Sequence, residues 1–148
     1  TSVSVVTTDG PSGRFGLTVS AVTSVSADPP LLLICVNRKS LAAAAILGNG
    51  HFAVNVLAVE NRAFAETFSG RPSSGRPFDF ANHHWQLGLA GAPVVGDAAA
   101  VFECDVLETH DAGTHRIFIG RVVAARRGKL EPLVYASRSY RRSVTLDH

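Results

Sequence analysis

TVSAVTSVSADPPLLLICVNRKSLAAAAIL, residues 18 to 47, reads as two strands joined by a rigid turn, then a short polar loop that opens a helix. Leu17 to Val25 is a run of Val, Thr and Ser. Its alternation places Thr18, Ser20 and Val22 on one face, and Val19, Ala21 and Thr23 on the other. Asp28-Pro29-Pro30 removes two backbone donors and fixes two φ angles, which ends this strand and launches the next. Leu31 to Val36 is apolar throughout, which predicts burial on both sides or against a barrel interior. Asn37-Arg38-Lys39-Ser40 breaks that strand. Leu41 to Leu47 is then an alanine-rich helix ended by Gly48 or Gly50, with Ser40 or Asn37 as its N-cap.

Upstream, Ser2 to Thr8 is β-branched and bounded by Asp9-Gly10-Pro11, so it reads as a first strand. Downstream, His51 to Leu57 returns to a strand, and Asn61 to Phe68 reads as a helix stopped by Ser69-Gly70. A Gly/Pro-rich loop from Ser69 to His84 is long enough to serve as a lid. Trp85 to Leu89 reads as a short strand, and Asp97 to Glu108 with Thr114 to Arg126 as a hairpin. Leu133 to Tyr135 is a last short strand before an Arg-rich tail. No repeat or linker divides the chain, so residues 1–148 are expected to form one domain. Many strands with two small helices imply a mainly β protein, an antiparallel barrel with helical covers.

Composition narrows the function. The 148 residues are 46% hydrophobic and 18% charged, with a net charge of +2, as in a globular domain. Twelve of the fourteen basic residues are Arg, the better planar partner for phosphate and carboxylate. The basic tail lacks interleaved aromatics, so no nucleic acid is expected. The best apolar run, Pro30 to Val36, is too short to span a membrane, and no basic-then-apolar leader opens the sequence. Cys35 and Cys104 lack CxxC spacing and are expected to be buried thiols in a reducing compartment, the cytoplasm.

Three features could carry chemistry. The helix start at Asn37 to Ser40 offers free N–H groups, the charges of Arg38 and Lys39, and the Ser40 hydroxyl to a phosphate; an ordinary capped helix is the alternative. The hydroxyl-rich strand from Thr18 lets a flat ring approach its backbone, or is simply a half-exposed strand. His115 lies just past the hairpin turn, where it can bind substrate or donate a proton, or remain a surface histidine. No GxGxxG follows a strand, and no GxxxxGK[ST] or GxSxG is present. No metal site is expected.

In order, VVTT (Val5 to Thr8), GLTVSAVTSVSADPPLLLICVNRKS (Gly16 to Ser40), FAVNVL (Phe52 to Leu57) and ECDV followed by GTHRIFIGRV resemble the flavin reductase family. These are short-chain NAD(P)H:flavin oxidoreductases with an FMN-binding split β-barrel. The resemblance implies a homodimer that binds FMN or FAD, with NADH or NADPH as co-substrate, and supplies reduced flavin to a separate monooxygenase. It places the isoalloxazine along Thr18, Val19, Ser20 and Ala21, and the flavin phosphate near Val36, Asn37, Arg38 and Ser40. His115 is the implied catalytic residue beside the nicotinamide, and Tyr140 the late aromatic. In the family a Gly-Asp-His motif precedes the I-F-I-G strand; here it reads Gly113-Thr114-His115, so the acid is replaced by Thr. A flavin- or haem-binding barrel without turnover is the competing expectation.

Overall fold

The computed structural model describes residues 1–147. β1 (Ser4–Thr8) pairs with β2 (Phe15–Val19), and β3 (Val22–Ala27) turns at Asp28 and Pro29 into β4 (Pro30–Asn37). α1 (Leu41–Asn49) and β5 (His51–Val56) follow; a 3-10 turn at Val59–Asn61 then leads into α2 (Arg62–Phe68). A small pair, β6 (Gln86–Leu87) and β7 (Pro93–Val94), precedes the long hairpin of β8 (Ala100–Ala112) and β9 (His115–Arg127). A second hairpin joins β10 (Leu133–Ala136) to β11 (Ser139–Arg142).

Seven strands make one antiparallel sheet in the order β2-β1-β5-β8-β9-β4-β3. β2 and β3 are its opposite edges, yet only Ser20 and Ala21 separate them in sequence. The sheet must therefore curl until its edges approach, and the chain itself crosses the gap. This is a split barrel: the edges share no ladder among the described residues. The connecting segment is fixed locally: Cys35 N–H to Ala21 C=O at 3.2 Å extends the β3–β4 ladder by one rung, and Val22 N–H to Ser20 C=O at 3.1 Å closes a tight turn. The single strand expected over Leu17 to Val25 is thus two strands, bent where two small residues permit it.

β1 is buried along its whole length because both of its faces are covered. Val6, Phe52 and Val54 point into the barrel with Ile34, Phe118 and the α1 residues Ala43 and Ile46. Val5 and Ala53 face the other way, toward Ala65 and Phe68 of α2. Of the two expectations for β4, burial on both sides or against a barrel interior, the second holds. Leu32, Ile34 and Val36 are inside, while Leu31, Leu33 and Cys35 are only half-buried on the outer face. Across that face Leu33 pairs with Ile119 and Cys35 with Ile117, both also half-buried. Inside, a Cβ on Gly120 would lie 2.6 Å from the Phe52 ring and 2.8 Å from Cys104 Cβ, so only glycine lets these side chains meet there.

α1 runs to Asn49 and ends at Gly50, whose φ of 78° and bond to Ile46 C=O at 2.9 Å form a left-handed cap. The loop from Ser69 to His84 is pinned more firmly than a free lid. Phe80, His83 and Trp85 join Phe64 and Phe68 in an aromatic cluster, with His83 stacked on Phe64 at 4.3 Å. Both cysteines are free, Cys104 buried and Cys35 half-buried. No helix among the described residues is long and apolar enough to cross a membrane.

Candidate active site

β2 is an edge strand, so alternate main-chain N–H and C=O groups near Thr18 point away from β1. They border a cleft of about 600 Å3 whose far wall is α2, the residues just after it, and the β10–β11 hairpin. Thr18 and Ser20 line it directly. The Thr18 hydroxyl donates to Ala65 C=O at 2.8 Å, which ties β2 to α2 and leaves only the oxygen lone pairs for a ligand. Val19 is largely buried in the core and reaches the cleft only at its margin, while Ala21 lies just outside, held through Cys35. Tyr140 stands in the far wall under the Arg62 guanidinium, 5.1 Å from its ring centre. Burial pushes the Tyr140 phenol above its ordinary value, with Ser69 pulling the other way.

The second group of expected residues collects at the end of β4. Ser40 is the N-cap: its Oγ accepts from Ala43 N–H at 3.2 Å and donates to Asn37 C=O at 2.8 Å. Its one hydroxyl hydrogen is therefore already used, and a phosphate bond would require the hydroxyl to turn. Asn37 Oδ1 accepts from Lys39 N–H at 2.9 Å. Arg38 reaches across to the β8–β9 turn, donating from its main chain to Thr114 C=O and from Nη1 to Gly113 C=O, each at 3.0 Å. Asn37 is the register partner of His115. The exposed His115 ring lies with Nδ1 2.9 Å from the Thr114 hydroxyl, so Thr114 orients the imidazole by a neutral bond. The nearby acid, Asp111, is occupied by Arg116 at 2.7 Å, whose hydrogen bond holds that carboxyl below its usual range.

The structure thus brings Asn37, Arg38, Ser40 and His115 to one rim, and Thr18, Ser20 and Tyr140 to one cleft. The two groups are neighbours through β4: Ala21 is bonded to Cys35, only two residues before Asn37. Val36 belongs to neither group; its side chain is 1% exposed inside the barrel, so any ligand contact must come from its backbone. Ser40 borders a separate, more apolar pocket of about 380 Å3 with Leu17 and Phe78. Sequence reading missed Arg62, Arg71 and Tyr135 in the cleft's far wall; Arg138 it noted only among the tail arginines, as a solvated face or a contact for a dinucleotide phosphate. The wall's signal was the alternation of LVYASRSYRR, hidden because the Ser137-Arg138 turn carries neither Gly nor Asn. Both residues have positive φ, 50° and 62°. Each costs roughly 1–2 kcal/mol relative to glycine-like freedom. No cluster of His, Cys, Asp or Glu among the described residues could hold a metal.

The family described as "Flavin reductase like domain" matches residues 1–143. This chain belongs to that family. It is 43% identical over 141 residues to an FMN reductase (NADH) RutF of Ancylobacter novellus, covering 94% of this chain and 76% of that one. Its fold is similar to that of BorF, the flavin reductase component of a bacterial two-component tryptophan halogenase. There the TM-score is 0.86 at 38% identity, over 96% of this chain and 89% of BorF. It is similar also to the NADH:FAD oxidoreductase SgcE6 of Streptomyces globisporus C-1027 in complex with NAD and FAD fragments. That match has a TM-score of 0.86 at 34% identity, over 97% of this chain and 86% of SgcE6. The split between the sheet edges is thus part of the fold this chain shares with flavin reductases.

Proposed function

We propose that this protein is an NAD(P)H-dependent flavin reductase, transferring hydride from reduced nicotinamide to FMN or FAD and releasing the reduced flavin to a separate monooxygenase. The observation that carries the reading is the cleft along the unpaired edge of β2, in a chain of the flavin reductase family. An edge strand presents alternating donors and acceptors, the pattern of the flavin pyrimidine, and a cleft of about 600 Å3 falls within the range of small-molecule sites. The residues present therefore fit a flavin.

When bound, flavin and nicotinamide supply the hydride chemistry themselves. The chain's task is positioning. Main-chain groups of Thr18 to Ala21 hold the ring, and small side chains at Ser20 and Ala21 let it approach. N–H donors beside the ring would stabilise negative charge as it is reduced. The Asn37 to Ser40 loop receives the flavin phosphate, and the Arg38 bonds to Gly113 and Thr114 carry its position to His115. His115, oriented by Thr114, binds and aligns the nicotinamide; with no carboxylate behind it, it does not act as an assisted base. The outer apolar face of β4 and β9 supports a homodimer.

Nicotinamide oxidation in the presence and absence of added FMN and FAD tests this reading. Turnover that depends on flavin is expected, and its absence with both NADH and NADPH overturns the assignment.

A further inference from the structure

Beneath the β6–β7 hairpin lies a separate cavity of about 310 Å3 that shares no lining residue with the cleft along β2. Val101 and Glu103 of β8 and Ala124 of β9 form its floor, and Leu87, Leu89 and Val94 form its cover. The size and the mostly apolar lining suit a small molecule. Glu103 is the anomaly. It is only 6% exposed, and an acid so buried is almost always paired with a cation. Its Oε1 accepts from Ala90 N–H at 2.9 Å, but no ion pair reaches the carboxylate among the described residues. Its register partners on either side, Ala53 and Ala124, are neutral. Arg126, one diagonal step away on β9, donates to Val95 C=O at 2.9 Å instead. The cover fits closely over the acid: a Cβ on Gly88 would overlap Glu103 Oε1, so glycine lets the hairpin turn come down there. At the mouth, Leu87 and Leu89 are 81% and 91% exposed.

A carboxylate on the floor of an apolar cavity selects a cation that carries an apolar body. We infer that this cavity binds a small organic ammonium, with Glu103 on the charged nitrogen and Leu87, Leu89, Val94 and Val101 around the apolar part. The ammonium supplies the counter-charge that no side chain of the fold provides to Glu103, and Ala90 N–H holds the carboxylate in place to receive it. The apolar body covers the two leucines at the mouth. The inference goes beyond the reductase reading: hydride transfer is assigned to the β2 cleft and the His115 rim, and none of the residues named for them lines this cavity.

Three probes of similar shape test the site: phenethylamine, its neutral counterpart phenethyl alcohol, and the anionic hydrocinnamate. Titration calorimetry gives the affinities, and the NMR shift of the Ala90 amide, which is bonded to Glu103, reports occupancy at this place. The parent is expected to bind the amine with a Kd of about 1 mM or tighter, about ten-fold or more ahead of either other probe. Glu103→Gln keeps an acceptor for Ala90 N–H and removes the charge, so the preference for the amine should fall below about two-fold. Ala124→Leu leaves the charge and fills the floor, and should weaken the amine about ten-fold. No amine binding at that level, an amine bound no better than the other probes, or a Glu103→Gln variant that keeps the preference overturns the site. A Glu103→Gln variant that sediments as a smaller species than the parent overturns it as well, because the acid then pairs with a cation on a second copy of the chain.

Discussion

Ser40 is asked to do two things with one hydroxyl hydrogen. It caps α1 and bonds Asn37, and flavin phosphate would compete for that hydrogen. Ser40→Ala is expected to lower unfolding stability by about 1 kcal/mol, the usual worth of such a cap. It should also weaken flavin by roughly 1–3 kcal/mol if the phosphate takes that bond. Denaturant melts and flavin titrations on the same variant separate the two effects, and a cap loss with unchanged flavin affinity removes Ser40 from the phosphate site. His115→Ala should raise the nicotinamide KM or slow hydride transfer more than it alters flavin affinity, which stopped-flow reduction of preloaded flavin reads directly. His83 is a structural counterpart: burial holds its imidazole below its ordinary 6.5, and it stacks on Phe64. The folded chain therefore prefers it neutral. Its contribution is complete above about pH 6.5 and is lost as the unfolded state takes up the proton below that value. The stability of the parent relative to His83→Gln should be flat above pH 7 and fall toward pH 5, as urea midpoints would show.

At the scale of elements, Gly120 in β9 is a point of close packing inside the barrel. Gly120→Ala should destabilise the fold by about 1–3 kcal/mol, because both Phe52 and Cys104 would have to move. Thermal denaturation checks it. Cys104 beneath it is inert by the same burial, which with the charges of Asp105 and Glu103 pushes its thiol up to about 12. Strands and helices were legible wherever the local pattern was also the cause. β1 and α1 follow from a β-branched run and alanine content. The β8–β9 hairpin follows from two apolar strands around a Gly-containing turn, although the strands run on through His110, Asp111 and Ala112 and leave only Gly113 and Thr114 in the turn. What escaped was set by distant contacts. Ser20 and Ala21 look like strand until the sheet must curl, and the apolar run Leu31 to Val36 does not by itself say which of its two faces meets the barrel interior. β11 was read as tail because its turn breaks the usual preference for Asn-Gly. The candidate site was half-legible for the same reason. Asn37 to Ser40 and His115 lie on local features, whereas the arginine wall exists only once α2 and the last hairpin meet.

For the whole molecule, the outer face of β4 and β9 is an apolar surface only partly covered. Leu33 and Cys35 lie half-buried there across from Ile119 and Ile117. If this face joins two copies, Ile119→Glu should shift the protein from dimer to monomer in sedimentation without unfolding it. An unchanged dimer would move the interface elsewhere. The same geometry gives the crossing at Ser20 and Ala21 a mechanical meaning. One short tether connects the wall of the cleft to the seam of the barrel, so the two cannot part independently. Any breathing that widens the groove draws instead on the bond from the Thr18 hydroxyl to Ala65 C=O, which ties β2 to the far wall. Thr18→Val, which loses that tie, should therefore raise deuterium uptake in α2, and a ligand filling the groove should lower it.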